Sequence, residues 1–141
     1  MKVTQDDSAH LPLHGVRVIE FCHMVMGPTC GMILADMGAD VIKVEPLQGD
    51  TTRRLVHQGA GFFATYNRNK RSLALDLKLD GGFKVAKALC ADADIVVENL
   101  RPGALEELGL GYTALSADNP RLIYCALKGF LDGPYAHRKA L

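Results

Sequence analysis

The stretch Asp94-Ile95-Val96-Val97-Glu98-Asn99-Leu100-Arg101-Pro102-Gly103-Ala104 joins an unbroken β-branched run to a polar elbow and then to a helix start. Three consecutive β-branched apolar residues suit a strand covered on both faces, as in the middle of a parallel α/β sheet. Pro102 fits a first helical position, where its missing N–H costs nothing, and Gly109 follows Leu105 to Leu108 as a stop. Asn99 and Arg101 are therefore expected at the carboxyl end of a strand, beside a helix N-terminus. Open α/β sheets bind ligands in that crevice, and the helix end favours anions. The same residues also fit a plain strand-to-helix turn, with Asn99 bonded to local backbone and Arg101 solvated.

The rest of the chain repeats this unit. Val16 to Phe21 reads as the opening strand, Cys22 to Gly27 as a loop, and Pro28 as the start of a helix. Cys30, Ile33, Leu34 and Met37 recur at i, i+3, i+4 and i+7 and predict the buried face of that helix, which Gly38 closes. Val41 to Glu45 follows so soon that a right-handed crossover to a parallel neighbour is expected, with Pro46 ending the strand. From Leu47 to Asn69 periodicity dissolves, as in a functional segment or one of irregular short helices. Gly59-Ala60-Gly61-Phe62-Phe63-Ala64 matches the dinucleotide formula G-x-G-x-x-A but follows no strand, so it is rejected. Arg68, Lys70 and Arg71, flanked by Asn67 and Asn69, are a polyphosphate clamp or a solvated turn.

Ser72 to Leu77 is the third expected strand, and Asp80 is the expected cap of a helix that buries Phe83, Ala86, Leu89 and Cys90. Tyr112 to Ala117 reads as one helical turn, Arg121 to Leu127 as a fifth strand ending at Lys128, and Leu131 to Tyr135 as a tight turn. The fold class is α/β: a Rossmann-like, mostly parallel sheet with flanking helices.

A length of 141 residues suits one domain, with residues 1–10 as a flexible polar tail and 11–141 as the folded region. Sixteen basic residues balance sixteen acidic ones, so bulk charge draws the chain to neither nucleic acid nor an anionic membrane. No apolar run approaches a membrane span. Cys22, Cys30, Cys90 and Cys125 form no C-x-x-C pair and read as buried thiols of a reducing compartment, with cytoplasm expected. No histidine has a metal-ligand spacing, and no metal is expected. His23 alone sits at a strand's carboxyl end, where a ring bonded to loop backbone is the alternative to a ligand contact.

Leu13 to Phe21, Gly27-Pro28 and Leu34 to Glu45, followed in order by Asn69 to Ser72, Val97 to Gly103, Leu108 to Tyr112 and Asn119 to Tyr124, resemble the family III CoA-transferases. The resemblance runs from about Leu11 to the last residue. It implies a nucleotide-binding domain holding coenzyme A, or an acyl-CoA substrate, at the carboxyl ends of its strands. Carried over residue by residue, His23 to Met26 run along the CoA with Val25 facing it. Leu75 and Lys78 border the adenine nucleotide, Asn99, Leu100 and Arg101 meet the pantetheine and diphosphate, and Lys128 lies close by. A ligand with several phosphate charges needs cations and backbone donors, and adenine needs apolar walls.

The resemblance also implies transfer of CoA from an acyl-CoA to a small carboxylic acid through an aspartyl intermediate, in an interlocked homodimer. The family's nucleophilic aspartate falls beyond the motif that ends this sequence, so no catalytic residue is expected here and the chain looks like the N-terminal portion of a longer subunit. Pro46 and Glu107 stand where related sequences carry basic residues, which leaves Arg53, Arg54 or Arg68 as substitutes. Two rival readings remain: a fragment of an α-methylacyl-CoA racemase, and a non-catalytic CoA-binding module.

Overall fold

Five short segments extend into strands, the three central ones rich in Val and Ile, and the connections between them are long enough to cross over, so every pairing is parallel. The computed structural model describes residues 10–130, 133–136 and 138. In chain order the elements are β1 (Arg17–Phe21), α1 (Met26–Asp36), β2 (Asp40–Glu45), α2 (Phe62–Tyr66), β3 (Arg71–Ala74), α3 (Asp80–Ala91), β4 (Ile95–Glu98), α4 (Ala104–Glu107), α5 (Tyr112–Asp118) and β5 (Ile123–Ala126), with 3₁₀ turns at Thr51–Arg54 and His57–Gly59. The sheet order is β3-β2-β1-β4-β5, the arrangement expected of a Rossmann-like α/β fold. β1 is central, and the sheet reverses direction of growth beside it, between β1 and β4.

Side chains alternate across a strand, so each strand supplies both faces. Ile19, Phe21, Ile42, Val44 and Val96 point to one face and pack with Ala86 and Cys90 of α3, Leu105 of α4, Leu115 of α5, and Leu110 and Leu122. That layer is mainly apolar, each large side chain contributing about 1.5–3 kcal/mol on burial, with buried Glu98 at its carboxyl edge and Asn119 bonded to the Cys90 and Ala93 carbonyls. Val18, Cys22, Val41 and Val97 point to the other face, against Ala35 and Ala39 at the end of α1. Glu20 and Lys43 share that second face and are paired across the β1–β2 register. Both are fully buried, at 0% and 1% exposure.

This pairing explains how α1 packs. Its buried residues are Gly27, Pro28, Gly31 and Ala35, and a Cβ on Gly31 would lie 1.9 Å from Glu20 Oε2. Small residues let the helix approach a sheet whose centre is occupied by long charged side chains. The expected face of Cys30, Ile33, Leu34 and Met37 is therefore only half buried: Cys30 and Leu34 pack against the core, whereas Ile33 is 49% and Met37 39% exposed. Periodicity located an apolar stripe, but sterics turned the small-residue stripe inward.

Several boundaries also differ. α1 starts at Met26, two residues before Pro28. Asp80 does not cap α3; Leu79 holds the cap position and Asp80 pairs with Lys84 one turn on. Pro102 is not the first helical residue, because Gly103, with φ 84, intervenes before a helix of four residues. α5 runs to Asp118, about two turns rather than one, and β3 stops at Ala74, freeing Leu75 to Leu77 to form the wall of a groove. The irregular segment does resolve into short helices and turns. Of the expected tail, Met1 to Ala9 lie outside the described residues, as do Leu131 and Asp132 of the expected turn; Gly133 to Ala136 do form one. Among the described residues no helix is long and apolar enough to cross a membrane.

Candidate functional site

Two adjoining grooves open at the carboxyl ends of the strands, of about 520 and 560 Å³. The first lies over β1, β2 and the end of β3, between Cys22-His23, Glu45 to Gln48 and Leu75 to Lys78. The second lies over β4 and β5, between His23 to Met26, Asn99 to Pro102 and Leu127 to Phe130. His23 and Leu100 line both. Leu75 and Lys78 fall in the first groove, and Val25, Met26, Asn99, Arg101 and Lys128 in the second. All nine residues singled out from the sequence thus line one continuous surface in two compartments.

The walls are fixed by a small number of polar contacts. Asn99 grips the first loop: its Oδ1 accepts from the His23 N–H and its Nδ2 donates to the His23 carbonyl, both at 2.9 Å. Asn99 does bond backbone, yet the backbone is 76 positions away rather than local. Leu75 N–H donates to the Glu45 carbonyl at 2.9 Å, and Lys78 N–H to Asp76 Oδ1 at 3.0 Å, which forms the turn that presents the exposed Lys78 side chain. Leu100 N–H donates to buried Glu98 at 2.9 Å, and Lys128 pairs with that same carboxylate. Arg101 forms an exposed two-pronged pair with Glu107, so the basic residue lost at position 107 is replaced by a carboxylate that holds Arg101.

Beneath the first groove runs an ionic network that sequence reasoning missed. Lys43 Nζ lies 3.2 Å from Glu20 Oε1 and 3.0 Å from Asp50 Oδ2, and donates to the Cys22 carbonyl at 2.5 Å. Lys70 Nζ donates to Glu20 Oε2 at 2.7 Å, the Pro28 carbonyl at 2.8 Å and Asn67 Oδ1 at 3.1 Å. Burial disfavours the charged form of Lys70 and lowers its pKa, while Glu20 opposes that shift. Glu45 accepts both arms of the Arg53 guanidinium, at 2.8 and 2.6 Å, together with Ser72 Oγ and the Asp50 N–H. Burial would raise its pKa, but these hydrogen bonds outweigh burial and hold the carboxyl at about 2. The signal was present: two strands, each otherwise apolar at its centre, carry opposite charges at matching offsets, as Glu20 and Lys43.

Neither reading of the basic cluster holds. Lys70 is buried, Arg68 pairs with Asp36, and Arg71 makes a forked pair with Asp40 at 2.9 and 2.5 Å. These cations neutralise carboxylates of the same chain and are neither a clamp nor a free turn. Of the suggested substitutes, Arg53 is committed to Glu45 and stacks on Phe63 at 3.7 Å, Arg68 to Asp36, and Arg54 donates to the Gln48 carbonyl that edges the first groove.

The chemistry these groups can perform is binding rather than attack. Burial pushes the Cys22 thiol well above its ordinary value and the Cys90 thiol up to about 12, so neither forms a thiolate near neutrality. All four cysteines are free thiols. Glu20, Glu45 and Glu98 are each held by an ammonium or guanidinium. Among the described residues no group of three metal-ligating side chains is placed to hold an ion.

A family model described as CoA-transferase family III matches residues 13–141. The chain is 42% identical over 133 residues to succinyl-CoA:glutarate CoA-transferase of Mus musculus, covering 90% of this chain and 30% of that protein. It is 44% identical over 128 residues to formyl-CoA:oxalate CoA-transferase of Rhodopseudomonas palustris, covering 87% and 30%. The crystal structure of a CAIB/BAIF family protein from Brucella suis superposes with a TM-score of 0.84 at 43% identity, over 91% of this chain and 36% of that one. A hypothetical protein of Mycobacterium tuberculosis gives 0.87 at 39% identity, over 93% and 37%. The chain spans about 30% of the length of the curated relatives it matches.

Proposed function

The chain belongs to CoA-transferase family III, and from that premise we propose that it holds the coenzyme A of an enzyme that moves CoA from an acyl-CoA to a carboxylic acid. The observation that carries this reading is the continuity of the two grooves through His23 and Leu100, apolar side chains lining both, with Lys78 at the rim of the first and Arg101 and Lys128, paired with Glu107 and Glu98, in the second. The first groove, walled by Val44, Leu47, Leu75, Leu77 and Leu108, takes the adenine nucleotide, with Lys78 at its rim for phosphate. The second takes the pantetheine, running past Val25, Met26 and Asn99, with Arg101 and Lys128 toward the diphosphate. His23 and Leu100 stand where the nucleotide meets the pantetheine.

Transfer of this kind proceeds through attack of an enzyme carboxylate on the acyl-CoA thioester, followed by an acyl anhydride and an enzyme-bound CoA thioester, so that two easier steps replace one hard one. The buried glutamates of this chain are unsuited to that role, because their oxygens are already held by cations and hydrogen bonds. The nucleophilic aspartate belongs to another part of the catalytic unit, and this chain contributes binding and orientation. The relatives' names pair succinyl-CoA with glutarate and formyl-CoA with oxalate, which makes a small dicarboxylate the first acceptor to try. A homodimer is the assembly that goes with this reading, and the four free thiols suit a reducing cytoplasm.

Calorimetric titration of CoA and dephospho-CoA into the chain, Lys78→Ala and Arg101→Ala tests the proposal. Each substitution is expected to weaken CoA by about 1.5–3 kcal/mol, roughly ten- to 150-fold, as for loss of a charge-assisted hydrogen bond. Binding of CoA with unchanged affinity by both variants would return Lys78 and Arg101 to the solvated surface.

A further inference from the structure

The segment from Cys22 to Met26, the loop after β1 and the first residue of α1, lines both grooves, and two ammonium groups that line neither brace it and the helix turn that follows. Lys43 donates to the carbonyl of Cys22 and Lys70 to the carbonyl of Pro28, at 2.5 and 2.8 Å. The two lysines are joined by one carboxylate: Glu20 Oε1 faces Lys43 at 3.2 Å and Oε2 faces Lys70 at 2.7 Å. All three side chains are at most 2% exposed.

Stability alone gives little reason for this arrangement. Desolvating ammonium and carboxylate groups is costly, and apolar residues of similar volume in their place are often neutral or stabilising. The opposite face of the same strands, built from Ile19, Phe21, Ile42 and Val44, shows that apolar packing serves this sheet well. What an apolar side chain cannot do is donate to a backbone carbonyl. Without the Lys43 donor the Cys22 carbonyl, turned into the protein, loses its side-chain partner, and without Lys70 the first turn of α1 loses its tie to Glu20 of β1.

Resting on the CoA reading of the second groove, we infer that Lys43 and Lys70, coupled through Glu20, are positioning residues that set the Cys22–Met26 segment and the first turn of α1 against the ligand. Gly31 belongs to the same device. It leaves the space that the Glu20 carboxylate fills, and a Cβ there would also stand 3.2 Å from Lys70 Nζ. Lys43 additionally contacts Asp50, which lines the first groove, whereas none of the side-chain partners of Lys70 does. Lys70 is therefore the element whose loss falls first on the start of α1 and the second groove, and reaches the first groove only through Glu20 and Lys43.

The test compares CoA with adenosine 3′,5′-bisphosphate, which carries the nucleotide end of CoA and lacks the pantetheine. Affinities are measured for the unaltered chain, Lys70→Met and Gly31→Ala, with cooperative urea unfolding confirming that each variant is folded. Lys70→Met is expected to weaken CoA about tenfold, as for a misplaced contact surface, and to change the bisphosphate less than about twofold. Gly31→Ala retains every charge, displaces the Glu20 carboxylate that both lysines share and crowds Lys70; a loss of about fivefold for CoA, larger than for the bisphosphate, is expected. Should Lys70→Met fail to fold, Gly31→Ala decides the matter alone. Equal losses for both ligands, or unchanged CoA affinity in a folded variant, would overturn the positioning role while leaving the CoA reading intact. An unaltered chain that binds neither ligand would instead overturn the CoA reading, and the positioning role with it.

Discussion

The two faces of the sheet are built from alternate residues of the same strands, yet they solve different problems. Toward α3 and α5, Ile19, Phe21, Ile42, Val44 and Val96 meet Ala86, Cys90 and Leu115 in a layer that needs only shape and volume. Toward α1, the interleaved Glu20, Lys43 and Glu45 meet Lys70, Asp50 and Arg53 in a chain of alternating charge. The apolar face can exchange one hydrophobic residue for another at modest cost, because dispersion and burial have no direction. On the charged face the loss of one partner is costly, since it leaves a buried charge without its counterpart. Its directionality has a structural product: the Cys22 carbonyl at the edge of the first groove and the Pro28 carbonyl in the first turn of α1 are each held by a buried ammonium.

The contrast can be broken most severely at Lys43. Lys43→Met leaves Glu20 with one remaining cation and Asp50 without its ammonium, and is expected to cost about 3–5 kcal/mol in urea unfolding. A loss below about 1 kcal/mol would show that water or relaxation already screens the network. On the other face, Leu115→Ala should cost about 2–5 kcal/mol through lost burial and a cavity. That variant should leave the amide exchange of the Cys22–Pro28 loop unchanged once corrected for global stability. Faster local exchange there would mean that the two faces are not separable.

The smallest effect is a matter of pH. Because the Glu45 carboxyl is held at about 2 against an ordinary 4.5, its contribution to stability is fully present above about pH 4.5. It is lost as pH falls from there through 2. Glu45→Gln should therefore be less stable than the unaltered chain at neutral pH, and the difference in urea midpoint should narrow steadily below about pH 4.5. A difference independent of pH would assign the effect of Glu45 to shape rather than charge.

Much of this was legible in the residues. The run Ile95 to Val97 did mark a doubly covered strand, and the position of Asn99 at its end did mark the groove, because burial on both faces leaves a composition that few other settings produce. The packing of α1 was not legible. Its most apolar stripe, through Ile33 and Met37, lies outward, since the side of the helix that meets the sheet had to be narrow enough for Glu20. Helix ends moved for equally local reasons, as at Pro102, where the left-handed Gly103 delays the helix.

The sequence by itself determined the order of elements, the parallel sheet, the family and the surface on which Val25, Lys78, Asn99 and Arg101 gather. Alternation, crossover length and motif order are properties of neighbours along the chain. Only the tertiary structure decided which charges are free and which are spent. Lys70 and Arg71 are adjacent in sequence, but one is buried against Glu20, fifty positions away, and the other forks onto Asp40 at the surface. Whether a cation meets a ligand or a carboxylate of its own chain depends on which distant strand lies beside it, and that register exists only once the sheet has formed.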